Sequence, residues 1–282
     1  MPSPLVEVHD ERLERWGVHL RLKRDDLIDP DVPGNKWRKL RHNLEAARRQ
    51  GFTRLLTFGG AYSNHIRATA AAGHRFGFET VGVIRGEEHR PLNDSLAYAG
   101  AHGMTLTYLD RATYRRKAEP DVIARLTREF GPCYVLPEGG SNGLAARGTA
   151  ELVGEITTGF DVICCATGTG GTLAGIAAGL TGPQRALGFA VLKGGRFLED
   201  EVRRLQVEAF GSTTANWAID VDFHFGGYAK RRPALDRFVE DFGARHGIAV
   251  DWVYEGKMLY GLFARAEAGG FEPGTRVVAV LS

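Results

Sequence analysis

The feature that most constrains this chain is an alternation. Short apolar runs recur between longer stretches of helical periodicity, and Gly, Asp or Pro stands at the joins. The runs fall at Leu55–Phe58, Thr80–Ile84, Met104–Tyr108, Cys133–Leu136, Asp161–Ala166, Ala186–Val191 and Arg276–Leu281. Helical patterns cover Trp37–Arg49, Asn64–Phe76, Asp121–Phe130, Gly143–Thr157, Thr172–Leu180, Phe197–Phe210, Ala234–His246 and Lys257–Ala268. Strands that alternate with helices predict βαβ units and an α/β fold. Several runs are apolar throughout, as parallel strands covered on both faces should be.

At 282 residues the chain has room for one large or two modest domains. Its 36 basic and 34 acidic residues nearly cancel, which gives no electrostatic reason to expect nucleic acid or an anionic membrane. Any anion it binds must be held locally. Cys133, Cys164 and Cys165 form no CxxC pattern and read as reduced, buried small hydrophobes of a cytoplasmic protein. The opening MPSPLVEVHDERLE lacks the apolar stretch of a signal peptide, and no window approaches ~18 apolar residues, so neither export nor a membrane span is expected. The nine histidines show no ligand spacing, and no metal is expected.

Four segments carry chemistry. In DVICCATGTGGTLAG a buried strand runs through Thr167, Gly168, Thr169, Gly170, Gly171 and Thr172 into a helix. Glycines let backbone N–H groups converge there, and the helix N-terminus adds positive partial charge, so a phosphate is favoured without a lysine. The pattern is neither a P-loop nor a GxGxxG fingerprint, because the lysine and the third glycine are missing. In FGGAYSNHIRATAAAG, Ser63 or Asn64 caps a helix, and Tyr62, Ser63, Asn64 and His65 gather at the carboxyl end of a strand. Capping alone explains two of them. In PGNKWRKL, Lys36 sits at a turn and opens a helix; a helix N-terminus helps lower an amine pKa, which makes Lys36 a Schiff-base candidate. Arg38, Lys39 and Arg41 read as a solvated basic face. In DWVYEGKM, Tyr254 and Glu255 follow what reads as a strand end, where Glu255 is either solvated or paired with a buried cation.

These segments, in this order, resemble the pyridoxal-phosphate enzymes of the 1-aminocyclopropane-1-carboxylate deaminase and D-cysteine desulfhydrase family. The likeness spans LKRDDL at 22–27, GNKWRKL at 34–40, GGAYSNHIRATAAAG at 59–73, LPEGGSNGLAARG at 136–148, ATGTGGTLAG at 166–175, GGY at 226–228 and VYEGKM at 253–258. It implies the tryptophan-synthase-β-like fold, fold type II, with two open twisted α/β domains and the cofactor in the cleft. Residues 1–47 plus 136–282 would form the larger domain and 48–135 the smaller. A homodimer is the family habit.

By position, Lys36 corresponds to the lysine that binds the cofactor aldehyde, and Asn64 to the partner of its ring hydroxyl. Thr167–Thr172 matches the phosphate cup, and Glu255 the acidic group facing the pyridine nitrogen. Ser63, Asn64, His65 and Tyr228 correspond to substrate-binding groups, Ser63 and His65 as receivers of the substrate carboxylate. Tyr254 corresponds to a tyrosine at the substrate. The implied activity is deamination of a small amino acid, with D-cysteine giving pyruvate and sulfide or the cyclopropane acid giving 2-oxobutanoate. Glu255 matches the deaminases, whereas AKRRPAL after Tyr228 departs from the family's usual Gly and Pro. The family finishes its last strand with His, then Leu or Thr, then Gly-Gly; here those positions fall on Leu281 and Ser282. That departure keeps a second reading open, a weakly active or inactive cofactor-binding homologue.

Overall fold

The computed structural model describes residues 2–32 and 34–282. In chain order the first half holds β1 (Leu5–Val8), α1 (Glu11–Glu14), β2 (His19–Arg24), α2 (Asn35–Arg49), β3 (Arg54–Gly59), α3 (Asn64–Phe76), β4 (Glu79–Arg85), α4 (Asp94–Ala101), β5 (Thr105–Leu109), α5 (Arg111–Arg115) and α6 (Pro120–Phe130). The second half holds β6 (Tyr134–Leu136), α7 (Gly143–Gly154), β7 (Val162–Thr167), α8 (Gly171–Gly179), β8 (Arg185–Ala190), α9 (Leu198–Phe210), β9 (Trp217–Asp220), α10 (Pro233–His246), α11 (Glu255–Glu267) and β10 (Arg276–Leu281).

The strands form two sheets, in the orders β1-β2-β10-β7-β8-β9 and β5-β4-β3-β6. All neighbouring pairs are parallel except β1 with β2. Period-two alternation sends neighbouring residues to opposite faces. Cys164 on β7 therefore packs with Met258 and Leu262 of α11, while Cys165 packs with Leu173 and Ile176 of α8 and Leu205 of α9. All three cysteines are free and buried. On the smaller sheet, Leu40 and Leu44 of α2 join Ala68 and Ala72 of α3 against Leu55 and Leu136. Fully burying a leucine contributes roughly 1.5–3 kcal/mol, so this face is what fastens α2. α8 is buried nearly all round and packs on α7 at Gly175, where a Cβ would collide with Thr149 and with the Ala146 carbonyl.

Three strands went unseen in the apolar pattern, and each has a reason. β1 and β9 are the edges of the larger sheet, and β2 carries Arg21, Lys23 and Arg24. Lys23 is 1% exposed yet satisfied, because its Nζ donates to Glu155 Oε2 and to the Ser3 carbonyl, both at 2.6 Å. Trp252–Val253, which read as a strand end, is a turn. Asp251 Oδ1 accepts from the Val253 and Tyr254 amides at 2.6 and 2.7 Å and so directs the chain into α11.

Candidate active site

A cleft of about 600 Å³ is lined by residues from the starts of α2 and α3, the β7–α8 turn, the Gly139 turn, Tyr254 and Ser282. The β7–α8 turn follows the sequence expectation closely. β7 ends at Thr167, Gly170 adopts a left-handed φ of 77°, and α8 begins at Gly171. The first N–H groups of a helix have no intrahelical partner, and here they open on the cleft.

Across the turn stands a segment that sequence reasoning quoted without a role. Ser141 Oγ lies 2.7 Å from Thr169 Oγ1, and Lys39 Nζ donates to Ser141 Oγ at 3.2 Å and to the Gly139 carbonyl at 3.3 Å. A Cβ on Gly171 would come 2.6 Å from Ser141 Oγ and 3.3 Å from Lys39 Nζ. The cradle is therefore built for backbone approach, and it does include a lysine.

Arg38 and Lys39, in the basic stretch after Lys36, are thus not a solvated face, whereas the Arg41 side chain is 41% exposed and pairs with Glu151. Arg38 is 5% exposed and Lys39 is 3% exposed. Arg38 is forked between two carboxylates: Nε and Nη2 reach Asp25 at 2.6 and 2.8 Å, and Nη1 and Nη2 reach Glu155, both at 2.8 Å. Lys36 and Lys39 are three residues apart, and that spacing puts them on one helix face. It was the sequence signal for Lys39.

Lys36 lines the cleft, and its Nζ donates to Asn35 Oδ1. Burial lowers its amine to about 8, against the opposing pull of the Glu255 and Asp251 charges. Burial and the neighbouring Lys36 likewise push Lys39 well below its usual value. His65 is depressed by burial and by both lysines, so its ring is neutral.

Ser63 caps α3 by accepting from the Ile66 amide at 3.4 Å, and Asn64 is exposed at the cleft mouth. His65 differs from its neighbours. Its Nε2 lies 2.7 Å from Thr57 Oγ1, which also lies 3.2 Å from the Leu136 carbonyl. The remaining Nδ1 has no partner among the described residues.

Tyr254 lines the cleft, and its hydroxyl donates to the Tyr228 hydroxyl at 3.2 Å; the two rings meet edge to face at 6.0 Å. Burial and Tyr228 raise the Tyr254 pKa, which keeps it protonated. Glu255 sits one layer behind. Its Oε1 accepts from the Ser282 amide at 2.5 Å and its Oε2 from the Asp251 amide at 3.3 Å. Burial and the Asp251 carboxylate hold Glu255 well above the ordinary carboxylate range.

The family model described as "Pyridoxal-phosphate dependent enzyme" matches residues 1–282. The chain belongs to that family. Among curated relatives of this pyridoxal-phosphate enzyme, a putative 1-aminocyclopropane-1-carboxylate deaminase of Pyrococcus horikoshii is 33% identical over 266 residues, covering 90% of this chain and 81% of the relative. A bifunctional D-cysteine desulfhydrase/1-aminocyclopropane-1-carboxylate deaminase of Arabidopsis thaliana is 30% identical over 279 residues, covering 89% of this chain and 70% of the relative. A crystal structure described as an ACC deaminase homologue superposes with a TM-score of 0.88 at 30% identity, covering 100% of this chain and 89% of that one. The fold is thus the tryptophan-synthase-β-like type II fold.

The cleft fits pyridoxal phosphate on its own chemistry. It offers glycine-lined N–H groups and the Lys39 amine for a phosphate, a lysine of lowered pKa for an aldehyde, and an unpartnered buried nitrogen at His65 Nδ1. Among the described residues no helix is long and apolar enough to cross a membrane.

Proposed function

We propose that this pyridoxal-phosphate enzyme deaminates a small amino acid. With water, D-cysteine would give pyruvate, sulfide and ammonia, and 1-aminocyclopropane-1-carboxylate would give 2-oxobutanoate and ammonia. The observation that carries the reading is a single cleft in which the Lys36 amine, brought to about 8, shares space with a phosphate cradle. The names of the relatives from Pyrococcus horikoshii and Arabidopsis thaliana supply the substrate classes.

The cradle of Thr167, Gly168, Thr169, Gly170, Gly171 and Thr172, with Lys39 and Ser141, would hold the phosphate. Asn64 would orient the ring hydroxyl. Glu255 is assigned to the ring nitrogen, since a carboxyl of raised pKa shares a proton with a weak base. Pyridoxal phosphate, when bound, supplies an aldehyde that captures an amine and a ring that accepts the electron pair left at the substrate α-carbon. Lys36 Nζ would be the base that takes a proton from substrate carbon. Ser63 and Asn64 take the substrate carboxylate at the start of α3, where the helix dipole favours an anion. His65, whose Nδ1 is left without a partner among the described residues, is a further group for that carboxylate. Tyr254 donates to Tyr228, which leaves the Tyr228 hydroxyl hydrogen free to protonate a leaving group such as thiolate. The two sheets would be the cores of two domains, residues 1–47 plus 136–282 and residues 48–135, in a cytoplasmic homodimer.

The test is the visible spectrum of the purified protein, followed in the same cuvette by D-cysteine and then the cyclopropane acid, with 2-oxo acid and sulfide assayed. A yellow band near ~420 nm is the imine signature of lysine-bound cofactor. Release of pyruvate with sulfide, or of 2-oxobutanoate, supports the reading, and Lys36→Ala should abolish colour and turnover together. A yellow protein that turns over neither compound would favour the inactive homologue. A colourless one that stays so with added cofactor would remove Lys36 from its role.

A further inference from the structure

Lys257, in the first turn of α11, is fully buried and plays no part in the chemistry above. Its Nζ donates to three backbone carbonyls: Gly227 at 2.8 Å, His224 at 3.1 Å and Val191 at 3.2 Å. An ammonium has three donors, and all three are spent on the main chain. Burying a cation without a direct carboxylate partner is unfavourable, and burial lowers this amine to about 8. The site persists because of what it holds.

Two of the three carbonyls belong to one short loop, and its backbone is strained. Phe225 and Ala229 have φ of 54° and 50°, a region side-chain-bearing residues avoid, and Gly226 and Gly227 reach 104° and 132°. Such conformations survive where surrounding contacts over-determine them. Within the loop the Gly227 amide donates to the His224 carbonyl at 3.0 Å, and the Gly226 amide donates to His224 Nδ1 at 2.9 Å. The third carbonyl, Val191, lies just beyond β8 and ties the loop to the sheet. The loop carries Tyr228, whose hydroxyl meets that of Tyr254, and Tyr254 stands only three residues before Lys257. One helix end thus supplies both a tyrosine of the pair and the clamp that delivers its partner.

We propose that Lys257 is a positioning residue that clamps the strained 224–229 loop and thereby sets the Tyr228 hydroxyl against Tyr254. The proposal rests on the reading that this tyrosine pair lines the substrate site. The clamp acts on the chain's own carbonyls and leaves the phosphate cradle and Lys36 untouched.

The experiment uses the cofactor-loaded protein and a double-mutant cycle of Lys257→Met and Tyr228→Phe, with D-cysteine and 1-aminocyclopropane-1-carboxylate as the probes. Misplacing a group by about 1 Å can lower the rate by about 100-fold. Lys257→Met should therefore lower kcat/KM by roughly 10- to 100-fold with the visible spectrum unchanged, and should cost less than about twofold more once Tyr228 is already Phe. Trypsin cutting after Lys230 and Arg231, exposed residues just past the loop, should accelerate at least about fivefold in Lys257→Met at an unchanged global Tm. If Lys257→Met does not fold, Lys257→Gln, which keeps two donors, should show both effects at intermediate size. Multiplicative losses in the cycle, or unchanged trypsin cutting, would overturn the clamp. If Tyr228→Phe alone leaves turnover intact, or neither probe is turned over, the substrate-site reading fails instead, and trypsin cutting still decides the clamp: faster cutting upholds it and unchanged cutting overturns it.

Discussion

The amine of Lys36 offers the sharpest quantitative test of the site. An ordinary lysine has a pKa of about 10.5, so at pH 7 only about one molecule in 3,000 carries the nucleophilic neutral amine. Burial in the cleft brings Lys36 to about 8, where roughly one molecule in ten is neutral at pH 7. The lowered value favours the neutral amine, and the gain is roughly 300-fold in reactive fraction at neutral pH. The perturbation is pH itself, applied to protein stripped of cofactor and mixed with saturating pyridoxal phosphate in a stopped-flow spectrometer. The rate of yellow colour formation should climb about tenfold per pH unit from 6 to 7.5, bend near 8 and then stay flat. Lys36→Ala should give no such phase, which ties the curve to one side chain. A rate that still rose tenfold per unit between pH 8.5 and 10 would show an ordinary solvated lysine, and the argument from burial would be refuted.

Lys39→Met should weaken cofactor binding by roughly 10- to 100-fold in an absorbance titration, the size of a lost charge-assisted hydrogen bond, while leaving the pH profile of Lys36 nearly in place. Arg38→Met strands Asp25 without its cation, while Glu155 keeps Lys23, and should destabilise the fold by about 3–5 kcal/mol in urea denaturation. Acid should act through the same cluster and through a second one at Asp10. Burial alone would raise Glu155, but Arg38 and Lys23 bring it to about 2, and Arg12 and His246 overcome burial in the same way to bring Asp10 to about 2. Both native values lie below the unfolded ones, so this stability is fully present above about pH 4.5 and is lost as pH falls towards 2; urea midpoints measured across that window should decline steadily.

How much of this could be read from the sequence depended on whether the causes were local. The cradle was legible because Gly170 needs its left-handed φ where it stands and α8 starts at the next residue. Lys36 was legible from its place at the turn into α2. The buried cations were not. Arg38 and Lys23 look solvated until Asp25 and Glu155, far apart in the chain, converge on them, and Lys39 looks solvated until the Gly139–Ser141 turn closes over it. The burial of His65 was equally hidden, since its ring meets a hydroxyl on β3. Asp251 escaped notice because the Trp252–Val253 pair imitates a strand, while the Asp251 carboxylate caps a turn instead.

The same geometry explains why an anion belongs here. Successive residues of an α-helix are turned by about 100°, so Arg38 points away from the face shared by Lys36 and Lys39. On Arg38's side the fold provides two carboxylates. On the other side, among the described residues, Lys39 finds only the Ser141 hydroxyl and the Gly139 carbonyl, and Lys36 only the Asn35 amide oxygen. Neutral oxygens do not compensate a buried ammonium, which is why both amines sit below their usual pKa. Glu255 and Asp251 offset only part of the deficit at Lys36, for burial and Asp251 raise the Glu255 pKa and its oxygens are engaged by the Ser282 and Asp251 amides. The helix therefore has its counter-ions on one face and lacks them on the other, at the spot where the N–H groups of α8 also converge. On the proposed reading a phosphate dianion would supply the missing charge there, with Lys36 one helical turn from Lys39.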